Sequence, residues 1–111
     1  MLNHYHQGHL RLTDIARLMA TSPSYVYGIN GKGQLAVDND ADIVLVDLDK
    51  EWQVGTSGAV LGRSGWSPYE GMHLKGLPVR TYLRGLCVMA DGELIGKAQG
   101  QKVLFNEASV K

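Results

Sequence analysis

His4, His6 and His9 form the densest set of potential metal ligands in this chain. A His-x-His pair grips zinc well on a strand, where residues two apart point the same way. On a helix, residues two apart sit roughly 200° round the axis and diverge. The stretch from Leu2 to Gln7 reads as the last turns of a helix stopped by Gly8, and no cysteine or acidic residue before Asp14 is near enough in sequence to complete four ligands. These histidines are expected at the surface. A small metal-binding protein built on them is the least favoured of three readings.

Asp38, Asp40, Asp42, Asp47 and Asp49 make an acidic cluster that loosely resembles a calcium loop. An EF-hand loop needs glycine at its sixth position and glutamate at its twelfth. Counted from Asp38, those positions hold Ile43 and Asp49. The expected use of the cluster is turn chemistry, because Asp and Asn accept backbone N–H bonds at corners and tolerate unusual φ. Gly31-Lys32-Gly33 invites a phosphate-binding reading, but it lacks a preceding strand, a following helix and a third glycine. Gly62-Arg63-Ser64-Gly65 is not the Gly-x-Ser-x-Gly elbow of hydrolases. His73 reads as a strand residue with a solvated face, and no acidic orienter is evident to make it a general base. Cys87, the single cysteine, lies in Leu86-Cys87-Val88-Met89 and reads as a small buried hydrophobe. No residue is assigned a catalytic, cofactor-binding or metal-binding role.

The elements that would carry these groups fall in two blocks. Thr13 is expected to cap a helix with Asp14 in its first turn, and Ile15, Leu18 and Met19 mark a buried face with Arg17 off it. Ser22-Pro23 is expected to restart the helix, with Tyr25-Val26-Tyr27 packed before Gly28 ends it. Ile43-Val44-Leu45-Val46 is continuous, β-branched and flanked by aspartates, so it reads as a central strand buried on both faces. Glu51 to Val54 alternates and should be half-buried, Gly55 to Gly65 reads as loop, and Ser67-Pro68-Tyr69-Glu70-Gly71 as a turn. Pro78 to Leu83 and Leu86 to Ala90 read as strands parted by Gly85. Asp91-Gly92 predicts a two-residue hairpin turn returning through Glu93-Leu94-Ile95, and Val103-Leu104-Phe105 a terminal strand. The fold class expected is α+β, with short N-terminal helices followed by mainly antiparallel strands.

Composition narrows the partners. The 111 residues carry 11 Lys plus Arg and 11 Asp plus Glu, dispersed without like-charge runs. No net positive field draws the chain to nucleic acid or anionic lipid, and no apolar run approaches the ~20 residues of a membrane span. A polar, His-rich start is not expected to be a signal peptide, and one cysteine suits a reducing cytoplasm.

The run from Gly31 to Asp47 is a glycine-rich turn, a short strand, an Asp40-Ala41-Asp42 corner and an apolar strand. It resembles the closing segment of the cyclic amidohydrolases, the metal-dependent ring openers that include dihydroorotase, allantoinase and dihydropyrimidinase. Three further segments resemble that family in the same order: Ile15 to Ser24, ending in Ser22-Pro23-Ser24; Asp47-Leu48-Asp49-Lys50-Glu51-Trp52; and Ser67 to Gly71, followed by Leu74-Lys75-Gly76 and Thr81 to Gly85. Together they cover roughly residues 2 to 105. Asp38 stands where the family usually has glycine, and Ser24 where it usually has alanine.

The resemblance implies a distorted (β/α)8 barrel joined to a small β-sandwich built from both chain ends. Residues 1–29 would belong to the barrel's last helices and residues 30–111 to the C-terminal part of the sandwich. The family's metals, usually zinc, are held by a His-x-His pair near the start of the barrel, a carboxylated lysine, two more histidines and an aspartate. None of those positions maps onto this sequence, and His4 and His6 are not equated with that pair. The expectation is a non-catalytic portion of a dihydroorotase-like hydrolase of pyrimidine biosynthesis, with no cofactor in this chain. The alternative is a free-standing, non-catalytic dihydroorotase-like module that stabilises a partner chain. Expected partners are the missing barrel portion or further copies of the chain, because apolar faces around Val44, Val46, Val79 and Leu83 would lack neighbours.

Overall fold

The structure, a computed structural model, describes residues 1–55 and 62–106. The helices come first and the strands after: α1 (Leu2–His6), α2 (Leu12–Ala16), a π-helical segment (Arg17–Thr21), α3 (Ser22–Val26), then β1 (Ile43–Gln53), β2 (His73–Leu83), β3 (Leu86–Ala90) and β4 (Glu93–Leu94). The few short helices and the antiparallel sheet agree with the α+β expectation.

The helical block differs from expectation in how it starts and joins. Arg11, not Thr13, takes the cap position, with extended dihedrals of φ −88° and ψ 160°. Asp14 sits in the first turn as expected, and its carboxylate accepts the Arg11 backbone N–H at 3.0 Å and the guanidinium at 3.0 and 3.2 Å. Those bonds, the side-chain one first, lower the Asp14 carboxyl to about 2. Ser22 is not a fresh cap, because Thr21 before it is already helical at φ −66° and ψ −49°. The helix runs on from Leu12 to Val26 through the π segment. Proline cannot supply the usual N–H and crowds the preceding turn, and a local widening to π geometry accommodates it at Pro23. Gly28 then ends the helix at φ +61°, as the sequence suggests.

The sheet is a simple meander in the order β1-β2-β3-β4. β1 runs antiparallel to β2 from Ile43 opposite Tyr82 to Gln53 opposite His73. The register slips between Leu45 and Val46, where Pro78 stands in β2 without an N–H to give, and again between Asp47 and Glu51. At the second slip the Asp47 carboxylate accepts the backbone N–H groups of Asp49 and Lys50, which lets one 11-residue strand run through the acidic segment. Arg84-Gly85 and Asp91-Gly92 close the two hairpins, all four residues with positive φ, the form that matches strand twist. Ser67 to Gly71 is the expected turn, with the Glu70 N–H donating to the Ser67 carbonyl at 3.1 Å. The last expected strand is reduced to a single bridge, Phe105 opposite Ile29. Of the expected loop from Gly55 to Gly65, residues 56–61 lie outside the described residues.

Burial departs furthest from expectation. β1 is an edge strand, not a central one, and Val44, Leu45 and Val46 are exposed, Val44 at 52%. The stripe expected to be buried on the helix is open as well: Leu18 is exposed and Met19 is 62% exposed, while Tyr25, at 87%, Val26 and Tyr27 do not pack. Among the described residues, Val54 is the one hydrophobic side chain below a tenth exposed, at 8%. Where packing does occur it is close. α1 lies on β2 at Gly76, where a Cβ would come within 2.8 Å of Leu2 Cβ, and the Trp52 indole N–H donates to the Gly76 carbonyl at 3.0 Å.

Candidate functional site

The best-organised polar site is the corner where the helical block meets the sheet. Two hydroxyls on the widened helix reach the glycine loop. Thr21 Oγ1 donates to the Gly33 carbonyl at 3.0 Å, and Ser24 Oγ lies 2.9 Å from the Lys32 carbonyl and 3.2 Å from that of Ile29. Gly33, at φ +88°, fits so tightly against this helix that a Cβ would stand 2.4 Å from Ser24 Cβ and 2.9 Å from the Ala20 carbonyl oxygen. The loop turns Lys32 inward, and its ammonium donates to Asp40 Oδ2 at 2.7 Å and to Asp42 Oδ2 at 2.5 Å. Asp42 then uses its other oxygen, Oδ1, to accept the Arg84 backbone N–H at 2.9 Å, while the Gly85 N–H donates to the Ala41 carbonyl at 3.0 Å. A continuous polar path thus runs from helix to loop to aspartate corner to the β2–β3 hairpin.

The electrostatics make this corner a pin. The hydrogen bonds to Asp40 and Asp42 raise the Lys32 ammonium above its ordinary value. The Lys32 hydrogen bond lowers the Asp42 carboxyl against an opposing cost of partial burial. An amine held protonated by two carboxylates is neither a nucleophile nor a base at neutral pH. The corner also shows what the acidic cluster does. Asp40, Asp42 and Asp47 serve as turn and corner acceptors, and Asp38 takes a left-handed φ of +70° that aspartate tolerates better than most residues.

The other candidates stand apart from it. His4 and His9 pack ring to ring with centroids 6.0 Å apart, and His6 Nε2 lies 2.6 Å from the Leu48 carbonyl, tying α1 to β1. His73 is exposed on β2. Cys87 is half-buried rather than buried, with Sγ 3.4 Å from the Met89 carbonyl. Among the described residues no three His, Cys, Asp or Glu side chains are grouped so as to hold a metal. The described donors do not by themselves make a ligand set for the zinc that the family resemblance implies for a whole enzyme. The role of Lys32 was not legible in sequence, because its partners lie eight and ten residues away across a loop with no periodic pattern.

No family model matches the chain. Individual proteins do. A dihydroorotase of Pyrococcus abyssi is 36% identical over 104 residues, which cover 94% of this chain and 25% of that protein. A D-hydantoinase of Ralstonia pickettii is 36% identical over 88% of this chain and 21% of its own length. Among solved structures, the L-hydantoinase (dihydropyrimidinase) of Arthrobacter aurescens superposes with a TM-score of 0.76 at 32% identity, covering 87% of this chain and 22% of that one. The chain spans about a quarter of the length of the curated relatives it matches. It belongs to the family of dihydroorotase, D-hydantoinase and allantoinase and corresponds to a C-terminal portion of those proteins.

Proposed function

We propose that the chain acts as the non-catalytic, C-terminal support of a dihydroorotase-like amidohydrolase, whose ring-hydrolysing centre lies in the other three quarters of the protein. Residues 1–29 then close a barrel and residues 30–111 contribute to a small sandwich, with the Lys32 corner fixing one against the other. The observation that carries this reading is the excess of surface. The chain exposes 8816 Å², whereas a folded monomer of this size exposes about 6000 Å². Its radius of gyration is 16.1 Å, against about 13 Å for a compact chain of roughly 100 residues. The exposed large hydrophobic residues include Leu18 and Met19 on the helix and Val44, Leu45 and Val46 on β1, on faces that a barrel and a second sheet would cover; others, among them Leu35, Val37, Leu94 and Leu104, lie outside those two elements.

Dihydroorotase is favoured over allantoinase, and both over dihydropyrimidinase, as the parent activity on the segments Asp47 to Trp52 and Ser67 to Gly71. The parent reaction would then be hydrolysis of a cyclic amide in pyrimidine biosynthesis, in the cytoplasm. Isolated from that context, the chain covers its bare faces with copies of itself. Sedimentation of the purified chain tests this: the average mass should rise with concentration, and a monomer at every concentration would count against the reading.

A further inference from the structure

We propose that Asn30-Gly31 is a self-modification site, where the chain deamidates through a cyclic imide and thereby loosens the corner that joins helix to sheet. This inference is independent of the parent activity. Asparagine is among the thermolabile residues, and its lability rests on one reaction. The backbone nitrogen of the next residue attacks the side-chain amide carbon, which requires an unencumbered N–H, a free side chain and little steric bulk.

The four asparagines of the chain are Asn3, Asn30, Asn39 and Asn106, and glycine follows only Asn30. The fold separates Asn30 from its neighbours in kind. At Asn39 both reacting groups are occupied: its side-chain amide donates to the Gln34 carbonyl at 3.1 Å, and the following N–H, that of Asp40, donates to the Gly31 carbonyl at 2.8 Å. At Asn3 the following N–H, that of His4, donates to the Met1 carbonyl at 2.9 Å within α1. At Asn30 neither group is engaged with the described residues. The side-chain amide and the Gly31 N–H make no hydrogen bond there, and both residues are exposed. A Cβ at Gly31 would meet nothing within 4 Å apart from its chain neighbours, so the space beside this residue is open.

The step balances with water alone. The Gly31 nitrogen forms a bond to Asn30 Cγ and loses its proton to solvent base, the bond from Cγ to Nδ2 breaks, and ammonia leaves. Water then opens the ring. Cleavage of the bond between the nitrogen and Cγ gives aspartate, and cleavage of the bond to the backbone carbonyl carbon gives isoaspartate, in which the main chain runs through Cγ. The isoaspartate route adds one carbon between two anchored points. On one side the Asn30 N–H donates to the Leu104 carbonyl at 2.9 Å, and on the other the Gly31 carbonyl accepts the Asp40 N–H. Lengthening the chain between them disengages Asp40, one of the two carboxylates that hold Lys32.

The test is ageing of the full folded chain at mildly alkaline pH, followed by peptide mapping with mass spectrometry. The peptide containing Asn30 should gain one mass unit and split into two isomers, an order of magnitude faster than the peptide containing Asn39. Its rate should stay within a few-fold of that in chain unfolded in urea. Asn30→Gln should abolish the gain while leaving the circular dichroism unchanged. In aged wild-type chain the Asp40 amide should exchange hydrogen faster, and in aged N30Q it should not. Equal rates at Asn30 and Asn39, or strong protection of Asn30 in the folded chain, would overturn the proposal.

Discussion

Gly33 shows how a single position couples two blocks of structure. It sits at φ +88° with Ser24 and the Ala20 carbonyl where a side chain would go. Gly33→Ala should cost at least about 1–3 kcal/mol, the price of a left-handed non-glycine residue, with the collision against the helix added. Gly31→Ala, at φ +67° but in open space, should cost less. Thermal unfolding of the two variants measures the difference, and equal losses would mean that helix–loop contact contributes nothing. Of the two departures from the family pattern, Ser24 acquires a reason. The Ser24 hydroxyl reaches the loop carbonyls of Ile29 and Lys32, a contact alanine could not make. Asp38 sits at a left-handed position, where glycine would be the unstrained choice.

Among the elements, β1 is where the strand's sequence and its surroundings disagree. Its run of Ile43 to Val46 carries the pattern of a strand covered on both faces, yet within this chain it is an edge with Val44, Leu45 and Val46 exposed. Val44→Lys should therefore change the stability of the isolated chain by no more than about 0.5 kcal/mol. Val54→Ala, at the one buried hydrophobic position among the described residues, should cost about 1–3 kcal/mol. Denaturant titration compares them, and a large loss from V44K would show that the face is covered after all.

The order of elements, the Asp91-Gly92 hairpin turn, the break at Gly85 and the glycine that ends the helix were legible in sequence, because each depends on nearby residues. The Arg11 cap was not, since an arginine is seldom a helix cap and Asp14 supplied the bonding. The π segment was hidden because Ser22-Pro23 reads equally well as a helix start. The Lys32 corner was missed because its partners meet only through a folded loop. Leu18, Met19, Val44 and Val46 are open: apolar periodicity reports that a face wants cover, and says nothing of whether the cover is in the same segment; for Val44 and Val46 only the family resemblance pointed to the missing neighbours.

At the scale of the whole molecule, local order coexists with a missing interior. The hydrogen-bonded corner and the sheet register are well formed, while the surface remains well above that of a compact monomer. Hydrophobic burial is the main stabilising term in folding, and the described elements leave much of their apolar surface uncovered. The relatives the chain matches are about four times as long. Under the proposed function the chain is one part of a larger structural unit, and ring opening lies elsewhere in that unit. The direct measurement is a chimera: the 104 matched residues of the Pyrococcus abyssi dihydroorotase are replaced by the corresponding residues of this chain, and dihydroorotate hydrolysis is assayed beside the chain alone with zinc. Under the proposed function the folded chimera turns over and the chain alone gives nothing above a metal blank. A chimera that fails to fold or to turn over while the parent enzyme does both, or turnover by the chain alone, would contradict it.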